Sequence, residues 1–83
     1  MCWHVYIVKC SDGTFYTGVA KDLARRLVEH NSSKLGSKYT RARRPVELVF
    51  SEESASRSEA CKREVAIKNL TRIQKIGLIN QPE

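Results

Sequence analysis

The first twenty residues leave the chain one short route to folded structure. Two runs rich in β-branched and aromatic residues, Trp3 to Lys9 (WHVYIVK) and Thr14 to Val19 (TFYTGV), are separated only by Cys10-Ser11-Asp12-Gly13. Runs of this kind suit a pleated, half-buried surface, and a short connection ending in Asp-Gly between them is a hairpin signal. The length of the connection decides what the hairpin presents, because a one-residue change of register turns every side chain to the opposite face. A two-residue Asp12-Gly13 loop would put Tyr6 and Tyr16 on opposite faces. A three-residue loop, Ser11-Asp12-Gly13 with Gly13 left-handed, pairs Cys10 with Thr14 and brings both tyrosines to one face, and this is the expected register.

Downstream, Asp22 is placed to cap a helix that runs to about Asn31. At about 100° per residue, Leu23, Ala24, Leu27 and Val28 sweep one apolar arc, Arg26 and His30 sit together at its margin, and Arg25 and Glu29 lie toward water. The polar stretch from Asn31 to Pro45 reads as a loop; it carries Lys34, Lys38, Arg41, Arg43 and Arg44 and no acid. Val46 to Phe50 (VELVF) predicts a third strand. Ser56 with Glu59, then Thr71 with Gln74, are capping-box spacings that open a helix to about Leu70 and a last helix carrying Ile73, Ile76 and Ile79. The order β-β-α-β-α-α, with no repeat or linker, predicts a single α+β domain over residues 1–83: a small three-stranded, mostly antiparallel sheet flanked by helices.

Charge narrows the partner. Fifteen Lys and Arg against nine Asp and Glu give a net charge of +6, which favours a polyanion, either nucleic acid or an anionic membrane surface, over a neutral small ligand. No apolar run approaches the roughly 20 residues that span a bilayer, and no secretory signal is visible. The three cysteines, Cys2, Cys10 and Cys61, are odd in number and lack a C-x-x-C spacing, so a disulfide framework is not expected and a reducing cytoplasm is. Cys2, His4 and Cys10 lack a fourth ligand at a zinc spacing.

On that frame, Val5-Tyr6, Tyr16-Thr17-Gly18, Ala20-Lys21-Asp22-Leu23 and Arg25-Arg26-Leu27 with His30 resemble the GIY-YIG nuclease superfamily, in particular its short stand-alone bacterial branch. The likeness continues through GSKYTRARRPVELVF and KREVAIKNLTRIQK and covers nearly the whole chain. His4-Val5-Tyr6 stands where the family name has Gly-Ile-Tyr, and Tyr16-Thr17-Gly18 where it has Tyr-Ile-Gly. A late asparagine common in the family has no assigned counterpart, and Asn80 is left without a role.

The resemblance implies a DNA endonuclease in repair or processing, weakly specific or structure-dependent, using one Mg²⁺ or Mn²⁺ ion. Its implied site is Tyr6, Tyr16, Arg26, His30 and Glu64. Tyr16 would be the better base, Tyr6 would position water or phosphate, Arg26 would clamp phosphate, and Glu64 would hold the metal. Each residue also has a plainer reading. The tyrosines serve as packed sheet residues, Arg26 as a surface arginine, and His30 as helix-edge filler that otherwise orients Tyr16 or meets phosphate. Glu64 then becomes a partly buried carboxylate paired with Arg63 or Arg26. Gly18 either allows a bend or phosphate approach at the strand-to-helix passage, or relieves crowding. Lys34, Lys38, Arg41, Arg43 and Arg44 suit a phosphate-tracking groove with Tyr39 as a stacking surface, or else a solvated face. The expected partner is DNA, with RNA left open, and the expected state a monomer or weak homodimer. A catalytically weak nucleic-acid-binding module is the competing class.

Overall fold

The hairpin closes in the three-residue register. In the computed structural model, which describes residues 2–32 and 38–80, β1 (Trp3–Lys9) pairs antiparallel with β2 (Phe15–Ala20), Tyr6 opposite Gly18 and Val8 opposite Tyr16. The Cys10 amide donates to the Thr14 carbonyl at 2.8 Å, and Gly13 holds the left-handed conformation (φ 84°) that the loop requires. Tyr6 and Tyr16 therefore share a face.

β3 (Glu47–Ser54) adds to the other side of β1, giving the order β2-β1-β3, antiparallel throughout, with a bulge opposite Ile7 and Val8. The strand runs four residues beyond the expected end at Phe50. Its polar tail, Ser51-Glu52-Glu53-Ser54, pairs with Tyr6, Val5, His4 and Trp3. Backbone pairing holds such residues on an edge strand where hydrophobic pattern gives no signal.

Being central, β1 is covered on both faces, so Val5, Tyr6, Ile7 and Val8 are all buried. Tyr6, Val8 and Cys10 pack with Val46, Tyr16, Leu48 and with Leu23 and Leu27 of α1 (Leu23–Ser32). On the opposite face Val5 and Ile7 meet Ala60 and Ile67 of α3 (Arg57–Lys68), and Leu78 and Ile79 of α4 (Arg72–Ile79) close over them. The sheet thus lies between α1 and the α3–α4 pair.

The caps sit where the spacing predicts. Asp22 Oδ1 accepts from the Arg25 amide, Ser56 Oγ from the Glu59 amide, and Thr71 with Gln74 forms a reciprocal capping box. Three expectations fail in detail. Ala24 and Val28 of α1 face water, because only Leu23 and Leu27 reach the sheet. Glu29 is drawn inward by two arginines, and Ile73 is left 82% exposed because Leu78 and Ile79 dock α4 instead. The stretch from Asn31 to Pro45 also contains helix: Asn31 and Ser32 complete α1, and Lys38–Arg41 forms a short α2. Lys34 lies outside the described residues.

Two isoleucines on successive helices separate packing from composition. Ile67→Ala removes a side chain with no exposed surface and is expected to cost about 2–5 kcal/mol in urea unfolding. Ile73→Ala should stay within about 0.5 kcal/mol of wild type in the same measurement.

Candidate active site

A cleft of about 280 Å³ is lined by Tyr6 of β1, Tyr16, Gly18 and Val19 of β2, Arg26 of α1, and Arg57, Cys61 and Glu64 of α3, with Trp3 at its rim. β2 is an outer strand, so side chains from helices on opposite faces of the sheet can reach one cleft beside it. Tyr6 reaches the cleft through a gap in β2. A Cβ on Gly18 would stand 2.5 Å from Tyr6 Oη and 2.6 Å from Cζ, so the phenol lies where any other residue's side chain would begin. Gly18 sits within the strand with no positive φ. It supplies room for a ring, which matches the crowding alternative and not the bend at a strand-to-helix passage.

The Tyr6 hydroxyl is held by a chain of polar groups. His30 Nε2 lies 2.7 Å from Tyr6 Oη, and His30 Nδ1 lies 2.8 Å from Thr40 Oγ1 of α2. The Arg26 guanidinium also hydrogen-bonds to Tyr6. Since a guanidinium only donates, the assignment that satisfies every atom has Tyr6 donate to Nε2 and the Nδ1–H donate to Thr40. Burial, chiefly, drives the Tyr6 pKa up to about 12, against the opposing pull of Arg26. Burial and then the Arg26 charge bring His30 down to about 4; Glu29 opposes this shift and Arg44 adds to it. At neutral pH the imidazole is therefore uncharged, with a lone pair facing the phenol.

His30 holds Tyr6 by its hydrogen bond and meets Tyr16 only through its ring, edge-on at 5.4 Å. Arg26, one turn before His30, is half-buried, and its Nη1 donates to Glu29 Oε1 at 3.1 Å, which aims the fork. Glu64 has 22% of its side chain exposed and pairs loosely with Lys68 at 3.6 Å. Arg63, a partner considered for it, donates instead to Glu52 of β3 at 2.9 Å.

The basic segment divides. Lys38 and Arg41 are exposed. Arg43 pairs with Asp12 of the hairpin loop at 3.0 Å and lies 3.9 Å above the Tyr39 ring, which itself stacks on Tyr16. Arg44 donates to the His30 and Glu29 carbonyls, closing the C-terminal end of α1 where free carbonyls collect. The acid that seemed missing from this stretch arrives from the hairpin, a pairing that local sequence cannot reveal. Asn80 lines a separate hollow with Lys9, Phe15 and Arg72.

Among the described residues no three His, Cys, Asp or Glu side chains gather as a metal cluster, and Cys2, Cys10 and Cys61 are free thiols. One carboxylate in an open polar cleft fits a hard cation that keeps most of its water and takes other oxygens from a phosphate. Glu64 would hold such an ion. No helix among the described residues is long and apolar enough to cross a membrane.

Two tyrosines, two arginines and a carboxylate thus line one cleft on a three-stranded antiparallel sheet between helices, in a small α+β domain. The family model described as the GIY-YIG catalytic domain matches residues 2–76, and the chain belongs to that family. UPF0213 protein DP2720 of Desulfotalea psychrophila is 56% identical over 81 residues, covering 98% of this chain and 74% of that protein. UPF0213 protein SERP0126 of Staphylococcus epidermidis is 56% identical over 77 residues, covering 93% of each. The solution structure of UPF0213 protein BH0048 from Bacillus halodurans superposes with TM-score 0.60 at 42% identity, over 95% of this chain and 83% of that one. The solution structure of EF2693 from E. faecalis gives TM-score 0.62 at 47% identity, over 90% of this chain and 79% of that one.

Sequence reasoning passed over Trp3, Val19, Arg57 and Cys61 as lining residues and Thr40 as the anchor of His30. Thr40 lies ten positions from His30 and within a segment read as loop, so no periodicity links the two.

Gly18→Ala is expected to cost about 1–3 kcal/mol in urea unfolding, with most of the penalty gone in a Tyr6→Leu background, where no phenol competes for the space. Below pH 6.5 the unfolded chain protonates at His30 while the folded chain does not, until about pH 4. Stability should therefore fall across that window as pH falls, by a total on the order of 3 kcal/mol from this group. Urea midpoints at pH 7 and 4.5 measure the drop, and His30→Gln should flatten it.

Proposed function

We propose that the domain hydrolyses phosphodiester bonds in DNA, with a divalent cation on Glu64. The observation that carries this reading is the convergence of Tyr6, Tyr16, Arg26 and Glu64 on one cleft within a chain of the GIY-YIG family. In-line hydrolysis requires water to lose a proton as it attacks phosphorus, charge to be neutralised on the phosphate, and the departing oxygen to be stabilised. When bound, the cation would supply part of that neutralisation and assist the leaving oxygen.

The chain's own groups account for the rest. Arg26, aimed by Glu29, presents paired N–H groups to phosphate oxygens, a geometry a lysine cannot copy. The hydrogen bonding favours Tyr6 over Tyr16 as the proton acceptor, the reverse of what the resemblance implied. A phenol with its pKa near 12 is a strong base once deprotonated. It can take a proton from water only as its own proton leaves toward His30 Nε2, 2.7 Å away; burial and Arg26 oppose an imidazolium there, so this transfer needs the negative charge of a bound phosphate to offset it. Thr40 fixes the imidazole in the tautomer that leaves Nε2 able to accept. Tyr16, stacked against Tyr39, shapes the wall of the cleft and orients the phosphate or the water. Lys38 and Arg41 are exposed cations suited to flanking phosphates, with Lys34 a further candidate. Arg43 and Arg44 would contribute to binding while also holding the fold together.

Purified protein is to be assayed on labelled single-stranded, duplex and branched DNA and on RNA, with Mg²⁺, Mn²⁺ or chelator. Metal-dependent cleavage is expected. Glu64→Gln should lower the rate about 10²- to 10³-fold, Tyr6→Phe more than Tyr16→Phe, and Arg26→Lys nearly as much as Arg26→Ala. Binding without cleavage would identify a nucleic-acid-binding module instead, and full activity of Glu64→Gln would remove its metal role. Affinity should also fall steeply with salt, since each neutralised phosphate releases counterions.

A further inference from the structure

Trp3 is the chain's only tryptophan, and it stands where two hollows meet. It lines the cleft together with Arg57 and Glu64, and it also lines an adjoining groove of about 340 Å³ with Lys21, Arg25 and Arg26. One side of the half-buried indole packs on the Val5, Ile7, Ala60 and Ile67 cluster, which fixes the ring. Lys21 Nζ and Arg57 Cζ each lie 5.9 Å from the ring centroid, at the outer limit of a cation–π contact. Neither cation is held by an ion pair among the described residues. The acids of the groove are already committed: Asp22 accepts from the Arg25 amide, and Glu29 pairs with Arg25 and Arg26.

We infer that this rim is a nucleotide subsite, in which Trp3 stacks on an unpaired base next to the phosphate in the cleft while Lys21 and Arg57 hold the phosphates on either side. The substrate class is then a nucleic acid strand with an unpaired base beside the scissile bond, either single-stranded or overhanging. Bases inside a duplex have both faces covered by their neighbours, so an indole at the protein surface selects one that is unstacked. Tyr39 is a weaker platform, since its ring already contacts Tyr16 and Arg43 and a base would have to displace one of them. The subsite rests on the reading of the cleft as a phosphodiester site, but it can be tested without cleavage.

Trp3 emission is titrated, in chelator, with a deoxythymidine oligonucleotide, a blunt duplex and inorganic polyphosphate, with binding followed in parallel by anisotropy of labelled ligand or competition against it. The oligonucleotide should quench the emission, while polyphosphate, which has charge but no base, and the blunt duplex should leave it nearly unchanged. Trp3→Leu, which keeps the apolar packing, should weaken oligonucleotide binding about five- to a hundredfold and leave polyphosphate binding within about twofold. Equal quenching by polyphosphate, or oligonucleotide binding with no quenching, overturns the subsite. Where Trp3→Leu is too unstable to assay, Arg57→Gln and Lys21→Gln together should reduce quenching at a fixed oligonucleotide concentration, and unchanged quenching counts against the proposal. Quenching without any cleavage sinks the nuclease reading and keeps the subsite; cleavage with no quenching, unimpaired by Trp3→Leu, does the reverse.

Discussion

The arrangement depends on one close approach, the Tyr6 phenol lying across Gly18 of the neighbouring strand. Because Gly18 has no Cβ, the ring can lean over β2 toward the outer edge of the sheet. That places its hydroxyl beside His30 of α1, in the cleft that Arg26 of α1 and Glu64 of α3 also line. The register of the hairpin sets up the approach, since Tyr6 faces Gly18 only when Cys10 pairs with Thr14. A turn glycine, a strand glycine and a buried phenol thus form one dependency that runs from backbone dihedral to cleft.

The polar network shows why burial and chemistry coincide here. Tyr6 and His30 are both almost wholly removed from water, and each would be costly to bury alone. Joined to one another, to Thr40 and to Arg26, they leave no buried side-chain nitrogen or oxygen unpartnered among the described residues. The same desolvation keeps His30 neutral and makes the Tyr6 phenolate unfavourable. A proton passing from the phenol to the imidazole would leave a buried phenolate–imidazolium pair, which that desolvation opposes, so the transfer is confined to the moment when an incoming water proton or substrate charge compensates it.

Much of this was legible in sequence. Strand runs, turn chemistry and capping boxes are local signals, and they located β1, β2, the hairpin register and the starts of α1, α3 and α4 close to where the structure has them. Glu64 follows the buried Ala60 by one helical turn and precedes the buried Ile67 by three residues, a spacing that turns it toward the sheet side, consistent with its place on the cleft wall. What stayed hidden is long-range pairing. The polar end of β3 is held by backbone bonds to β1, Arg43 finds its acid 31 residues away, and Arg44 turns inward to helix carbonyls. A run of cations looks the same in sequence whether it awaits phosphate or fastens two elements together. Gly18 was ambiguous for a related reason: crowding and bending both call for glycine, and only the position of the Tyr6 ring distinguishes them.

The fastening of α1 carries a practical consequence. Arg44 grips the last carbonyls of that helix, and Asn31 makes a two-way amide pair with Val46 at the entrance to β3. The helix that presents the guanidinium and the imidazole is thereby fastened to the entrance of β3, at the edge of the sheet away from β2. Charge-removal scans of the basic segment would then mix two signals, since neutralising Arg44 loosens the hinge of α1 while neutralising Arg41 changes only the surface field. A lost function at Arg44 would report alignment of the machinery together with its grip on a polyanion.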